Sequence, residues 1–379
     1  MPLTMETHYS AVTKLVGCKR VVFFGDVHLL HGRVPTSHIA NSLVKLISEL
    51  KNTADAIYIV GDLFDDSKHL RSEDTHDALD FIAWLLKWCK ETDTALRILE
   101  GTHSHDHGQS KFVPRINKAI GADVMYLSGI GIHHDPVLDM TVGWVQDDYN
   151  TKATETEQEM AELMKTRGID KVDFFVMHGC FHFQLPVFSE KSFNESFWVK
   201  RAKRAIFIGH DHRPKLNGII RVTGSPERLA MGEEEEKGIT ITDFTDEHTR
   251  LYFRVNTDAC MQLTVRAMDD YDAHYQACLA ALKRIDESPV PEVGRLKIEY
   301  AFDSPIAEHI ARWKKEYIFN IKGDKLRDPK VEKLLVEAFS HTSEVETIDQ
   351  DNVQSIILAE MAELEYDPNI VSEIIESVR

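Results

Sequence analysis

The sequence predicts an α/β fold in which helices cover the faces of β-sheets. From residue 19 onward, short apolar runs recur, and each of the early runs is followed by a polar turn and an amphipathic helix. The apolar runs do not alternate with polar residues, which is typical of strands that are buried on both faces. A chain of 379 residues is long enough for two or three domains.

The elements follow one another in a regular order over the first two thirds of the chain. Early strands are predicted over 19–25, 54–61 and 94–100, with helices over 36–51 and 73–90 between them. The first helix illustrates the pattern, because one of its faces carries Ile39, Leu43, Leu46, Ile47 and Leu50. The later elements are strands near 129–133 and 140–145, a helix near 154–166, and strands over 172–178, 205–209, 218–222, 238–243 and 249–255.

The pattern changes near residue 257, where a smaller α/β unit is predicted. Its elements are a strand over 261–267, a helix over 273–285, a strand over 295–302 and a helix over 305–313. From residue 328 the sequence is typical of helices, and Asp367 with Pro368 forms a helix start. We therefore predict three parts, which are 1–256, 257–327 and 328–379.

Composition excludes several classes of protein. No segment approaches the ~20 apolar residues that span a bilayer, and the first residues lack the apolar core of a signal peptide. The five cysteines form no CxxC pair, so we expect a soluble protein of a reducing cytoplasm without a disulfide framework. The net charge of −18 predicts weak attraction for nucleic acid unless a basic patch, a metal or a partner supplies positive charge.

Acidic and histidine residues follow five of the predicted strands at their carboxyl ends. Asp26 and His28 follow the first strand, and Asp62 follows the second. The third strand runs into GTHSHD (101–106), and the later ones end in the motifs that contain His178 and the pair His210 and His212. Because α/β sheets place ligand sites at the carboxyl ends of their strands, we expect these side chains to converge.

Carboxylates combined with imidazoles suit ions such as Mn²⁺, Fe²⁺ and Zn²⁺. Two neighbouring ions need a bridging carboxylate, and a strand-end aspartate between two ligand groups can provide one. Asp62 is the natural candidate. Such a pair of ions lowers the pKa of a bound water molecule and neutralises the charge that develops on a phosphoryl group. The predicted chemistry is therefore phosphoester hydrolysis.

The motifs also resemble those of a known family. In order, DVH, GDLFD, GTHSHD, MHG and GHDH resemble the calcineurin-like metallophosphoesterase signature D-x-H, G-D-x-x-D, G-N-H-D, H and G-H-x-H. The segment GSPERLAMGEEEEKG (224–238) is similar to the end of the phosphoesterase domain in SbcD-type DNA-repair nuclease subunits, which include phage members. The resemblance covers residues 19 to about 255. It implies a layered β-sandwich metallophosphoesterase domain flanked by helices, with a small α/β capping domain and a helical C-terminal tail.

The resemblance implies two overlapping sets of metal ligands. One ion would be held by Asp26, His28, Asp62 and His212, and the other by Asp62, His178 and His210. The expected ions are two divalent cations, with Mn²⁺ favoured. We expect the protein to need no other cofactor.

The third motif departs from the family pattern because GTHSHD contains no asparagine. Either Ser104–Asp106 stands over N-H-D after an insertion, or Thr102–His103 stands over N-H without one. We prefer the first alignment, because it keeps an aspartate after the histidine that would fix the imidazole tautomer. Ser104 is then a metal ligand. His105 protonates the leaving oxygen, and Asp106 orients the imidazole of His105. His103 is the alternative catalytic histidine. A hydroxyl is a weaker ligand than an amide, so we expect a loosely held second ion.

Two other features have competing interpretations. The acidic run Glu233–Glu236 is interpreted as a solvated loop in preference to a metal contact. Basic residues near the histidine motifs are candidates for phosphate contacts, although such residues are as often ordinary surface: Lys200, Arg201, Lys203, Arg204, Arg213 and Lys215.

The leading functional hypothesis is a Mn²⁺-dependent nuclease subunit of an SbcCD-type repair and recombination complex, with double-strand exonuclease and single-strand endonuclease activity. The expected partners are DNA, a second copy of the chain and an SbcC-like coiled-coil ATPase. The acidic amphipathic helices of 328–379 would dock the ATPase. The alternatives are a stand-alone nucleotide or protein phosphoesterase, and a weakly active scaffold that recruits the ATPase.

Overall fold

The computed structural model describes residues 4–6, 14, 17–66, 72–148, 150–187 and 189–326. The predicted helical region 328–379 lies outside these residues. The strands are β1 (Thr4–Glu6), β2 (Lys19–Phe24), β3 (Ala56–Val60), β4 (Ala95–Leu99), β5 (Val124–Leu127), β6 (Ile130–Asp135), β7 (Met140–Val145), β8 (Val172–His178), β9 (Ala202–Gly209), β10 (Lys215–Asn217), β11 (Ile220–Val222), β12 (Gly238–Phe244), β13 (Thr249–Val255), β14 (Gln262–Val265), β15 (Arg295–Tyr300) and β16 (Asn320–Lys325). The helices are α1 (Thr36–Ser48), α2 (Glu73–Glu91), α3 (His103–Asp106), α4 (Val113–Ile120), α5 (Ala153–Thr166), α6 (Glu195–Val199), α7 (Tyr271–Asp286) and α8 (Ile306–Glu316).

Two large mixed sheets form the first part of the structure. A seven-stranded sheet has the order β1-β13-β12-β2-β3-β4-β5, and a six-stranded sheet has the order β10-β11-β9-β8-β7-β6. The central strands β2, β3 and β4 run parallel, as do β7, β8 and β9. Their carboxyl ends therefore lie along one edge of each sheet.

The apolar core between the two sheets explains the unbroken apolar runs of the sequence. On β2, Val21 and Phe23 face the six-stranded sheet, where Phe23 stacks on Phe207 of β9. The alternate residues Val22 and Phe24 face the opposite side, so both faces of the strand are buried. A strand of this kind needs apolar residues at every position.

Helices cover the outer face of each sheet. The apolar faces of α1, α2 and α4 pack on the seven-stranded sheet through residues such as Leu43, Phe81 and Val113. Helices α5 and α6 pack on the six-stranded sheet through Met160 and Trp198. The sequence-based prediction of an α/β fold with helix-covered sheets is confirmed.

The described residues form two compact units. The first contains 4–263, 284–295 and 318–320, and the second contains Thr264–Lys283, Leu296–Tyr317 and 321–326. In the second unit, Trp313 of α8 is buried and stacks on Tyr275 and His309, with ring centroids 5.8 and 5.6 Å away. The first break, after residue 263, lies close to the predicted boundary at 256. Two later segments belong to the first unit, so a single cut cannot describe the division.

No helix among the described residues has both the length and the apolar character needed to cross a membrane.

Candidate metal centre

The strand-end side chains converge into two groups in the first unit. Asp26, His28 and His212 form the first ligand group, and Asp62, His178 and His210 form the second, with the potential ligand atoms of each group within 4.8 Å of one another. The residues come from the ends of β2, β3, β8 and β9. The structure thus brings together six of the seven metal ligands predicted from the sequence.

Asp62 lies between the two groups. Its Oδ2 atom is 3.2 Å from Nε2 of His178 and 3.8 Å from Nε2 of His28. Its Oδ1 atom accepts a hydrogen bond of 2.6 Å from the backbone N–H of Thr102, which fixes the carboxylate. This is the position that a bridging ligand for two ions must occupy.

Three imidazoles are held by hydrogen bonds at Nδ1. His28 donates to Asp65 Oδ1, His178 to the Val60 carbonyl and His212 to Glu233 Oε1, each at 2.8 Å. Because carbonyl and carboxylate oxygens can only accept, these contacts place the proton of the neutral ring on Nδ1 and leave the lone pair on Nε2. The tautomer of each histidine is therefore the one that binds a cation through Nε2.

The residues fit the divalent ions that the resemblance implies. The Nε2 atoms of His28 and His178 are buried and have no hydrogen-bond partner, although both face Asp62. A buried polar atom without a partner is costly, and a cation bound at Nε2 would satisfy it. The donor set of carboxylates and imidazoles, without thiolates, suits Mn²⁺, Fe²⁺ or Zn²⁺.

The backbone around these ligands adopts an unusual conformation. Asp26, His28, Asp62 and His210 have φ values of 50°, 51°, 46° and 95°, in the left-handed region that side chains rarely adopt. The structure imposes it through backbone contacts, such as the hydrogen bond of 2.9 Å from the His210 N–H to Asp26 Oδ1. Strain of this kind typically clusters at functional sites.

Glycines before the ligands leave room for this close approach. A Cβ atom at Gly101 would lie 2.1 Å from Asp62 Oδ1, and one at Gly209 would lie 2.3 Å from the Val60 carbonyl oxygen. At Gly61, where φ is +84°, a Cβ atom would lie 2.1 Å from His178 Nδ1. The glycines of the GD, GT and GH motifs are thus required by packing around the ligands.

Electrostatics couples Asp62 to His178. Burial disfavours the charged form of His178, but the negative charge of the neighbouring Asp62, with smaller contributions from Asp26 and Asp147, raises the pKa of His178 to about 10. Burial would raise the pKa of Asp62, but the His178 contact holds it well below its usual value. At neutral pH the two groups form an ion pair, so a cation that binds His178 must displace a proton.

His105 lies beside the first ligand group. Its Nδ1 atom is 3.3 Å from Asp65 Oδ1, and its ring centroid is 5.0 Å from that of His28. The hydrogen bond that His105 donates to Asp65 raises the pKa of His105 against the effect of burial. The side chain is 40% exposed, so a protonated His105 can reach a substrate in the adjoining cleft.

Asp106 does not have the role that the sequence suggested. Its buried carboxylate accepts hydrogen bonds from the backbone N–H groups of Phe64 and Gly101, at 2.9 and 2.7 Å. Burial, with the nearby charge of Asp62, raises the pKa of Asp106 to about 7. Asp106 joins the loops after β3 and β4, and Asp65 is the carboxylate that contacts the His105 ring.

Ser104 and His103 also lie away from the ligand groups. Residues 103–106 form a single helical turn, α3, with Thr102 as its N-cap, and this turn exposes His103 and Ser104. Both line a separate cleft of about 530 Å³ together with Asp147. The structure therefore exposes Ser104 and does not bring its hydroxyl to the two ligand groups as the preferred alignment expects. The Thr102 hydroxyl is the one near the ligands, because its Oγ1 atom lies 3.3 Å from His210 Nδ1.

A second cleft opens directly on the ligand groups. It has a volume of about 410 Å³, and its lining includes His31 and Arg33 in addition to the ligands and His105. Burial lowers the pKa of His31 to about 4, so this ring is neutral at pH 7. Arg33 is exposed and brings a positive charge to the wall of the cleft.

Sequence reasoning missed or undervalued two carboxylates. Glu233 was interpreted as part of a solvated run. In the structure it accepts a hydrogen bond from His212 and forms an ion pair with the buried Lys237, at a distance of 2.9 Å. Asp147 accepts a hydrogen bond of 3.1 Å from the Thr102 hydroxyl. The signal for Asp147 was its position two residues after β7, which resembles the other strand-end motifs.

We expect Glu233→Gln to weaken cation binding at the first ligand group by about 10- to 100-fold, the usual effect of losing an outer hydrogen-bond partner of a histidine ligand. Isothermal titration with Mn²⁺ measures this affinity. Glu234→Gln is the matched control, because Glu234 is exposed. Equal affinities for the two variants would show that Glu233 does not support His212.

Comparisons with known proteins add little to this geometry. No protein-family model and no curated protein matches the sequence. A crystal structure matches 62% of this chain and 99% of its own chain, with a TM-score of 0.39 and 11% sequence identity. A likeness at that level supports no conclusion about fold or function.

Proposed function

We propose that this chain is a metal-dependent phosphodiesterase that cleaves DNA, with the layered architecture of the metallophosphoesterases. One observation carries the proposal: the carboxylate of Asp62 lies between two buried imidazoles, His28 of the first ligand group and His178 of the second, whose Nε2 atoms face it. A site for one structural ion would not need a carboxylate shared by two ligand groups. Phosphoester hydrolysis is the chemistry that such a paired centre supports best.

The first ligand group together with Asp62 would hold one divalent ion, and the second ligand group would hold the other. When bound, two such ions lower the pKa of a water molecule and neutralise the charge that develops on the phosphoryl oxygens. Mn²⁺ is the expected ion.

His105 would supply the proton that the reaction needs. Cleavage of a phosphodiester releases a sugar alkoxide, which is a poor leaving group unless it is protonated. Asp65 accepts from both His28 and His105, so a single carboxylate orients a ligand and the proton donor. The raised pKa of His105 keeps more of its protonated form at neutral pH.

The charges around the site bear on DNA binding. Arg213 and Lys215 both contact Asp211, at 3.3 and 2.9 Å. Lys203 and Arg204 lie within 4 Å of Asp173, at 3.3 and 3.9 Å. Four of the six candidate basic residues therefore share two aspartates of the same chain, which offsets part of their positive charge. Because the chain has a net charge of −18, we propose that the subunit depends on bound cations and on a partner to hold DNA.

The remaining parts of the proposal concern assembly. We propose that an SbcC-like ATPase is the partner, that residues 328–379 dock it, and that the active assembly contains two copies of this chain. Duplex ends and single strands are the proposed substrates.

Digestion of linear and circular DNA by the purified protein tests this function. We expect Mn²⁺-dependent loss of linear duplex and cleavage of single-stranded circles, with faster digestion when a candidate ATPase is added. Hydrolysis of mononucleotides or phosphopeptides with intact DNA would instead identify a stand-alone phosphoesterase. No hydrolysis of any phosphoester with Mn²⁺ would refute the enzymatic proposal.

A further inference from the structure

The second ligand group is poorer in acidic oxygens than the first. The first ligand group contains Asp26 and adjoins Asp62, whereas the second has only the shared carboxylate of Asp62 and two imidazoles. Ions such as Mn²⁺ prefer more than three ligands, with oxygen prominent among them. A further carboxylate is therefore expected near His178 and His210.

The Thr102 side chain points to where such an oxygen lies. Thr102 is buried, and its backbone N–H is occupied by Asp62. Its hydroxyl lies 3.3 Å from His210 Nδ1 on one side and donates at 3.1 Å to Asp147 Oδ2 on the other. A single hydroxyl thus separates the Asp147 carboxylate from the second ligand group.

The topology of the six-stranded sheet explains why Asp147 is there. Strand β7 runs parallel to β8, and Val145 pairs with Met177, the residue before His178. Asp147 is two residues beyond Val145, so it leaves the sheet at the edge where His178 does. Its negative charge acts on the imidazoles of both His178 and His210.

We propose that Asp147 is an additional ligand of the ion at the second ligand group. This inference rests on the proposed two-ion function and adds to it the oxygen ligand that GTHSHD does not supply through an asparagine. With Asp26, Asp62 and Asp147, three carboxylates oppose the four positive charges of two divalent ions.

Titration with Mn²⁺ alone, followed by electron paramagnetic resonance and calorimetry, tests the assignment without an activity readout. The wild-type chain should bind two ions. In Asp147→Ala, the affinity for one ion should fall by about tenfold or more while the other remains unchanged, because a lost ligand costs at least as much as a lost outer contact. Asp148→Ala is the matched control, since Asp148 is exposed and bonds within its own loop to Asn150 and Thr151.

A second substitution sharpens the test. Thr102→Asn in the Asp147→Ala background places an amide oxygen beside Asp62 and His210, so it should recover part of the lost affinity. If Asp147→Ala does not fold, Asp147→Leu keeps a side chain of similar size and removes both carboxylate oxygens, and it should also weaken the binding of one ion.

The outcomes separate this inference from the proposed function. Two ions bound with wild-type affinities by Asp147→Ala, or by Asp147→Leu where the alanine variant is unfolded, would overturn the role of Asp147 and leave the two-ion centre intact. Fewer than two ions on the wild-type chain would refute the two-ion centre itself, and the role of Asp147 with it.

Discussion

Asp62→Asn is expected to remove both metal binding and hydrolysis. The substitution removes the charge of the carboxylate that lies nearest to the Nε2 atoms of both His28 and His178 among the described residues, so neither ion keeps its full ligand set. Loss of one charge-stabilising group typically costs about 10²–10³ in kcat, and we expect at least about 10³ here because support for two ions is lost together. Mn²⁺-dependent cleavage of linear DNA measures the rate.

Thermal unfolding with and without Mn²⁺ provides a second readout for this variant. An ion that binds only the folded chain stabilises it by about 2.7 kcal/mol at 100 times its Kd, so the wild-type Tm should rise with Mn²⁺ and that of Asp62→Asn should not. Asp66→Asn is the control, since Asp66 lies four residues along the same loop and is exposed. A fully active Asp62→Asn enzyme would contradict the bridging role.

His105→Ala is expected to lower the rate of DNA cleavage by about 10²–10⁴-fold, the usual contribution of a general acid. Binding of two Mn²⁺ ions should persist, because His105 belongs to neither the first nor the second ligand group, although it forms a further cluster with His28 and Asp65. The loss should be smaller for substrates such as bis(p-nitrophenyl) phosphate, whose leaving group departs without a proton. Steady-state rates on both substrates, with parallel metal titration, check these expectations.

His103→Ala discriminates between the two candidate histidines. His103 is exposed on the far side of the α3 turn and lines a different cleft, so we expect a change of less than about tenfold, well below the effect of a lost general acid. A larger loss in His103→Ala than in His105→Ala would transfer the role of proton donor to His103.

The fold could be predicted largely because its strands are buried on both faces. Runs such as VVFF in β2 and FFVM in β8 have no polar interruption, and the helices between them show a single apolar face. Short elements with weak patterns escaped prediction. Helix α4 is only eight residues long, and β16 (NIKGDK) alternates too weakly to be distinguished from a turn.

The ligands could be predicted because the sheets impose their positions. The sheet restricts a carboxylate or imidazole at the carboxyl end of a parallel strand to a few positions, and six strand-end residues do lie close together. GTHSHD was harder to interpret because its six residues fold as a cap followed by one helical turn. Thr102 turns inward, Ser104 turns outward and Asp106 turns back to the loop after β3.

The partners of the histidines could not be predicted from local sequence. Glu233 reaches His212 from 21 residues away, and Thr102 reaches Asp147 from 45 residues away. Such contacts depend on how distant loops pack, and an acidic run or a strand-end aspartate looks the same with or without them. The role of Asp65 was similarly hidden, because contact with both His28 and His105 requires three loops to meet.

Anomalous scattering from crystals soaked in Mn²⁺ would locate the two ions themselves. We expect two peaks on opposite sides of the Asp62 carboxylate, one beside Asp26 and His212 and the other beside His178 and His210. No peak at this place, with the imidazoles of His28 and His178 turned away from Asp62, would contradict the two-ion centre.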